Sequence, residues 1–100
     1  EQTTFERQDR GAELTAKLLA TRAEYLNARK QLAIFTDNAE STKKLLAAEL
    51  NLFETGESTL FMVNMRETAA FQAAIKVVEY QAKCEQLWLK WEFLQASLVR

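Results

Sequence analysis

The chain has 100 residues, of which 48% are hydrophobic and 27% are charged, and its formal net charge is -1. Its length allows one domain, and its composition is that of a globular or coiled-coil protein, which excludes a disordered chain. The near-neutral charge argues against nucleic acid as a partner, because nucleic-acid-binding domains present strongly basic surfaces. With no proline and 2 glycines, the sequence predicts an all-α fold.

Several other classes of protein are disfavoured by what the sequence lacks. No apolar run approaches the roughly 20 residues that a membrane-spanning helix needs. Histidine is absent and there is no glycine-rich phosphate loop, so we predict no catalytic site, no metal site and no cofactor. The chain starts at Glu1 without methionine or a signal peptide, and we expect it to be a segment of a longer protein.

The first predicted helix covers about residues 4–53. Thr3 and Glu6 have the spacing of a capping box at its start. Residues 36–38 lower the helix propensity, but they include no glycine or proline, and we predict that the helix continues through them. An apolar residue recurs at every seventh position, at Leu18, Tyr25, Leu32, Ala39, Leu46 and Phe53. This heptad period predicts a helix that packs along a partner helix.

The predicted turn covers residues 54–58. Gly56 fits the position just past a helix end, where a left-handed backbone conformation is favoured. Either Ser58 or Thr59 is then placed to cap the following helix with its hydroxyl. Glu49 and Glu54, before the turn, have the spacing of ordinary surface carboxylates.

The second predicted helix covers about residues 59–98, and its heptad positions are Val63, Ala70, Val77, Cys84, Trp91 and Leu98. Cys84 lies on this row, so we interpret it as a small core residue. Trp88 and Trp91 are one turn apart, and we interpret them as packing residues at the open end of the hairpin. The apolar arc is broader than one seam requires. We therefore predict a long antiparallel helical hairpin that self-associates through a second face.

The residues around the turn carry a resemblance to a known family. Phe53, Gly56, the Glu57-Ser58-Thr59 triplet, the Leu60-Phe61 pair and Val63 follow one another here as in the C-terminal helical repeat of the TolC-type outer-membrane efflux proteins. The preceding helix fits the family only through its heptads. The resemblance implies a periplasmic α-helical tunnel segment of an outer-membrane efflux or type I secretion channel.

In that family the full-length protein is a homotrimer, and the turn of such a hairpin lies at the periplasmic tip of the tunnel. There it docks on a periplasmic adaptor (membrane fusion) protein, which links it indirectly to an inner-membrane pump. The resemblance therefore implies that the tip of this chain binds the adaptor. The residues that it assigns to this tip are Thr55, Gly56, Glu57, Ser58, Thr59, Leu60 and Val63.

One departure from the family concerns the tunnel entrance. Well-known members carry acidic residues six and nine positions after the tip glycine, and this chain has Met62 and Met65 there. The alignment implies an entrance lined by thioethers instead of carboxylates. The alternative that remains open is a generic coiled-coil interaction or spacer module, since heptads alone do not distinguish the two. In such a hairpin, Leu60 and Val63 would both pack inward.

Overall fold

A computed structural model of the chain describes the backbone of residues 2–99 and the side chains of residues 8–99. Within these residues all regular structure is helical, with α1 at Gln2–Glu54 and α2 at Leu60–Val99. A tight turn of residues 55–59 joins them, and the two helices pack against each other as a hairpin. The predicted all-α hairpin is confirmed.

The helix ends differ from the predicted ones by one or two residues. Compared with the predicted bounds, α1 begins two residues earlier and ends one residue later, and α2 begins and ends one residue later. The predicted capping box of Thr3 and Glu6 lies outside the described side chains. Helix α1 continues through residues 36–38 as predicted, and the Thr36 hydroxyl donates a hydrogen bond to the Leu32 carbonyl oxygen at 2.8 Å. That bond satisfies the hydroxyl without interrupting the helix.

The chain divides into two compact units, each with part of both helices. The turn unit is Lys30–Gln81, and the terminal unit consists of the residues up to Arg29 together with those from Ala82 onward. In both units the less exposed positions follow each other at intervals of three and four residues, which is the a/d pattern of a coiled-coil seam.

Large apolar and aromatic side chains dominate the seam of the terminal unit. The Tyr25 ring of α1 contacts Trp88 of α2 with ring centroids 5.5 Å apart, and Trp88 in turn lies 5.4 Å from Trp91. The buried or half-buried seam residues are Leu14, Leu18, Thr21, Tyr25, Ala28, Cys84, Leu87, Trp91 and Leu94. The prediction that Cys84 is a small core residue is confirmed, since its thiol is free and buried.

Smaller and more polar side chains form the seam of the turn unit. Its one close aromatic pair in the described structure is Phe35 with Tyr80, at 4.8 Å between centroids. The buried or half-buried seam residues are Leu32, Phe35, Ala39, Thr42, Leu46, Glu49, Val63, Arg66, Ala70, Ala73, Val77 and Tyr80. Phe53 continues the heptad row in sequence but is exposed, because it lies in the last turn of α1, where α2 has only begun.

Candidate functional site at the turn

Backbone hydrogen bonds close the end of α1 at the turn. Gly56 has a φ of 81°, in the left-handed region that glycine adopts without a Cβ penalty. Its N–H donates to the Phe53 carbonyl oxygen at 3.1 Å, and the Glu57 N–H donates to the Leu52 carbonyl oxygen at 2.8 Å. These two bonds constitute a Schellman motif. The predicted role of Gly56 as the left-handed residue after the helix is confirmed.

Of the two predicted capping residues, Thr59 caps α2. Its hydroxyl oxygen accepts a hydrogen bond from the Met62 N–H at 3.2 Å, and its carbonyl oxygen accepts one from the Val63 N–H at 3.1 Å. This is the geometry of an N-cap, in which a side-chain oxygen satisfies an N–H group that has no partner within the helix.

Ser58 instead belongs to a network of three side chains, here called the Glu49 network. The Ser58 hydroxyl donates to Glu49 Oε2 at 2.6 Å, and Arg66 Nε donates to Glu49 Oε1 at 3.2 Å. Glu49 lies on α1, Ser58 in the turn and Arg66 on α2, so one carboxylate connects all three elements. The Ser58 hydroxyl, and after it the Arg66 guanidinium, lowers the pKa of Glu49 below its ordinary value, while desolvation acts in the opposite direction.

The interpretation of Glu49 as an ordinary surface carboxylate was wrong. Its residue surface is only 8% exposed, because it occupies a seam position three residues after Leu46. The heptad spacing was sufficient to predict these positions. Glu49 lies three residues after Leu46 and Arg66 lies three residues after Val63, so both fall on the seam. Opposite charges at facing seam positions would have predicted the pair.

The turn residues assigned to a docking tip fall into two groups. Thr55, Gly56, Glu57, Thr59 and Leu60 are exposed, and Ser58 is half-buried in the Glu49 network. In a generic hairpin Leu60 would pack inward, but its side chain is 61% exposed. It is the first residue of α2 and points away from the seam.

Val63 differs from its neighbours at the tip because it is only 3% exposed. It is the first seam residue of α2, and packing against α1 removes its side chain from the surface. The assignment of Val63 to a docking surface therefore does not fit the structure. Met62 is half-buried and Met65 is exposed, so of the two methionines Met65 presents more of its thioether to its surroundings.

Apolar and acidic side chains together form the exposed surface of the turn. We call it the turn surface, and its members are Leu52, Phe53, Glu54, Thr55, Gly56, Glu57, Leu60 and Phe61. No lysine or arginine occurs between Lys44 and Arg66 in the sequence, and Arg66 is bonded to Glu49. The surface is therefore apolar with a negative charge that no nearby cation compensates.

Comparisons of the chain with models of protein families, with curated proteins and with solved structures find no match. Among the described residues, neither helix contains a segment that is both long enough and apolar enough to cross a membrane. Within the same part of the chain, no three His, Cys, Asp or Glu side chains lie together as metal ligands would.

Proposed function

We propose that this chain is a periplasmic α-helical tunnel segment of an outer-membrane efflux or type I secretion channel, and that its turn docks on a periplasmic adaptor protein. One observation carries the proposal: the residues that resemble the TolC-type family lie at the turn, where Gly56 is left-handed and Leu60 and Phe61 are exposed. In the full-length homotrimer the hairpin contributes to the tunnel wall, and the adaptor connects it to an inner-membrane pump.

The contribution of the turn to such docking is to present a surface that is already ordered. The Schellman bonds, the Thr59 cap and the Glu49 network fix the backbone on both sides of Gly56. A binding loop that is ordered before binding loses less conformational entropy when the complex forms. The exposed turn surface then contacts the partner without refolding.

The chemistry of the turn surface specifies the kind of partner surface that it binds. Leu60 and Phe61 provide apolar contact area, and Glu54 and Glu57 add negative charge. A matching adaptor surface is an apolar depression bordered by lysine or arginine, since complementary charges favour the correct encounter and orientation. Adaptor binding that weakens as the salt concentration rises is an expected consequence.

The decisive experiment uses a photocrosslinking amino acid at Glu57 of the full-length protein in cells that contain its adaptor. We expect a crosslink to the adaptor, and Leu60→Lys should abolish it by placing a cation against a basic partner surface. Ile34→Lys is the matched control, since Ile34 is an equally exposed apolar residue on α1, away from the turn. Both variants should keep their helical circular dichroism. A crosslink that is absent, or that survives Leu60→Lys, would refute docking through the turn.

The methionines give the proposed channel a second testable property. Met62 and Met65 stand where the resembling family has carboxylates, and thioethers bind divalent cations such as Mg²⁺ poorly because these cations prefer oxygen ligands. We expect the conductance of the full-length channel to be insensitive to divalent cations added on the periplasmic side. Strong block by Mg²⁺ would contradict a thioether-lined entrance.

A generic coiled-coil interaction or spacer module is the second candidate, and the a/d seam present in both units favours it. The parent protein separates the two candidates. A second copy of this helical repeat in the parent supports the channel, whereas a parent composed of heptads alone supports the spacer.

A further inference from the structure

Glu49 is the one carboxylate that the described structure buries. Its residue surface is 8% exposed, whereas every other aspartate and glutamate among residues 8–99 is exposed. An ionised group that is removed from water is tolerated only where hydrogen bonds and an opposite charge compensate it. Loss of the charge on Glu49 therefore alters bonds inside the hairpin, whereas loss of an exposed charge leaves the packing as it is.

Both oxygens of this carboxylate accept a hydrogen bond. The Ser58 hydroxyl lies 2.6 Å from Oε2, and Arg66 Nε lies 3.2 Å from Oε1. The first distance is within the range of about 2.5–2.7 Å that is usual when a hydroxyl donates to an ionised oxygen. Ser58, a residue of the turn, is thereby attached to α1 through the charged form of Glu49.

Arg66 supplies the positive charge that faces Glu49 from α2. The other charged side chains near the turn are Glu54 at the end of α1, Glu57 in the turn and Glu67 on α2, and all three are exposed. The residues three and four positions from Glu49 along α1 are uncharged: Leu45, Leu46, Leu52 and Phe53. The charge of Glu49 is therefore balanced by Arg66, and none of these neighbours is a second cation.

Protonation of Glu49 changes both hydrogen bonds at once. A neutral carboxyl group accepts hydrogen bonds more weakly than a carboxylate, and one of its oxygens carries the added proton. The half-buried Arg66 guanidinium then has no opposite charge beside it, which favours its movement into water. The Schellman bonds of Gly56 and the Thr59 cap contain no titratable group and persist. What is lost is the attachment of Ser58 to α1.

The terminal unit has no counterpart of this carboxylate among the described residues. Its buried side chains carry no group that takes up a proton in acid; they are Thr21, Ala28, Cys84, Leu87 and Leu94. Acid therefore acts on the packed interior of the turn unit and leaves the interior of the terminal unit unchanged.

We propose that Glu49 makes the turn acid-sensitive: its protonation detaches Ser58 from α1, the backbone of residues 55–59 becomes mobile, and the turn surface docks less tightly. Only the last step rests on the proposed function, since the first two concern the hairpin by itself. A surface that is mobile before binding has to be ordered by it, and fixing the backbone of one residue costs about tenfold in affinity. The Glu49 network is thus a means by which acid regulates docking.

The acid range of this device follows from the same contacts. The Ser58 hydroxyl and, after it, the Arg66 guanidinium hold the pKa of Glu49 below its ordinary value of 4.5, against the effect of desolvation. The ionised network therefore persists at neutral and mildly acidic pH, and the turn loosens as the pH falls through the lowered pKa.

The mobility of the turn is tested by NMR relaxation of the backbone amides, from neutral pH into the acid range, with circular dichroism to verify that the helices remain. We expect the order parameters of Gly56, Glu57 and Ser58 to fall in acid from about 0.85, the value of rigid backbone, towards about 0.6. Those of Ala28 and Leu87 in the terminal unit should stay constant.

Glu49→Gln should give the low order parameters already at neutral pH and remove their acid dependence, since a glutamine offers one acceptor oxygen where the network uses two. Glu40→Gln is the matched control, because Glu40 is an exposed carboxylate on α1 away from the turn, and it should behave like the unsubstituted chain. Order parameters that stay constant in acid, or that fall equally in both units, would overturn the proposal.

The docking step is tested at neutral pH, so that the adaptor itself is not exposed to acid. In the full-length protein Glu49→Gln should weaken adaptor binding by about tenfold, seen as a lower yield of the crosslink from Glu57, whereas Glu40→Gln should leave it unchanged. An undiminished crosslink in Glu49→Gln would overturn the regulation of docking. Failure of the proposed function is distinguishable, because it removes the crosslink from the unsubstituted protein and leaves the NMR result as it is.

Discussion

The turn unit and the terminal unit follow the same heptad rule with different side chains. In the terminal unit the seam contains Leu87 and Leu94, and its Tyr25 contacts Trp88 beside the seam. In the turn unit alanines occupy several of these positions, and Glu49 and Arg66 form a hydrogen-bonded pair. The seam of the terminal unit is thus filled by burial alone, whereas the seam of the turn unit combines burial with one directional pair.

The two units therefore contribute differently to the stability of the hairpin and to the register of its two helices. Apolar burial is strong but non-directional, so it does not by itself decide which residue of α1 faces which residue of α2. The Glu49 network is directional, because Ser58 and Arg66 reach the same carboxylate in one register of the two helices. We hypothesise that the terminal unit supplies most of the packing energy and that the turn unit sets the register, a use of buried polar groups known from coiled coils.

The largest expected effect is on the packing of the terminal unit. Leu87→Ala removes a buried side chain and should lower the free energy of unfolding by about 3 kcal/mol, the usual range for a leucine that leaves a cavity. Leu89→Ala, two residues later and exposed, should change it by less than about 0.5 kcal/mol. Urea denaturation followed by circular dichroism measures both. Equal effects would mean that the seam is not where the terminal unit gains its stability.

The second effect concerns the Glu49 network. Its hydrogen bonds lower the folded-state pKa of Glu49 below the ordinary value of 4.5. Their contribution is therefore fully present above about pH 4.5 and is lost as the pH falls through the lowered pKa. Glu49→Gln should destabilise the hairpin at neutral pH and reduce the loss of stability on acidification.

Thermal unfolding measured from pH 7 to pH 2 tests this dependence, with Glu54→Gln as the control. Glu54 is an exposed carboxylate in the last turn of α1, so its substitution should leave the acid dependence close to that of the unsubstituted chain. Identical acid profiles for Glu49→Gln and the unsubstituted chain would show that the network does not stabilise the fold.

The third effect concerns the start of α2. Thr59→Ala removes the oxygen that accepts the Met62 N–H bond and should cost about 1 kcal/mol, as loss of an N-cap usually does. Thr68→Ala is the control: that exposed hydroxyl bonds only to the Asn64 carbonyl of its own helix, and its loss should cost less than about 0.5 kcal/mol. Chemical denaturation distinguishes the two, and an equal cost would contradict the capping role.

The last pair of effects contrasts the two glycines. Gly56→Ala should cost about 1 kcal/mol through backbone strain alone, since φ is 81° and a Cβ would meet no atom within 4 Å. Gly11→Ala, inside α1 and equally free of contacts, should instead stabilise the hairpin by about 0.5–1 kcal/mol. Melting temperatures should therefore shift in opposite directions. A shift of the same sign in both variants would contradict this account of the turn.

Much of the fold followed from the pattern of residues alone. Heptad spacing predicted both helices, and the isolated Gly56 predicted the turn between them. The helix ends were less well predicted, because capping depends on local hydrogen bonds: Thr59 and Ser58 are chemically alike, and their separate partners are defined only when both helices are in place. The resemblance to efflux proteins located the candidate site at the turn, but it could not distinguish buried from exposed residues within that site.

Sequence by itself determined that the chain forms two helices with one left-handed break at Gly56, since helix propensity, heptad period and glycine conformation are local properties. Only the tertiary structure decided which side chains face which environment. It buried Val63 and exposed Leu60 at the tip, and it brought Glu49 beside Arg66 although 17 positions separate them in the chain. It also left Phe61, Phe71 and Val78 of α2 exposed. Heptad spacing indicates that Val63, Glu49 and Arg66 lie on the seam, but the hydrogen bonds between them and the exposure of Leu60 depend on where one helix lies against the other.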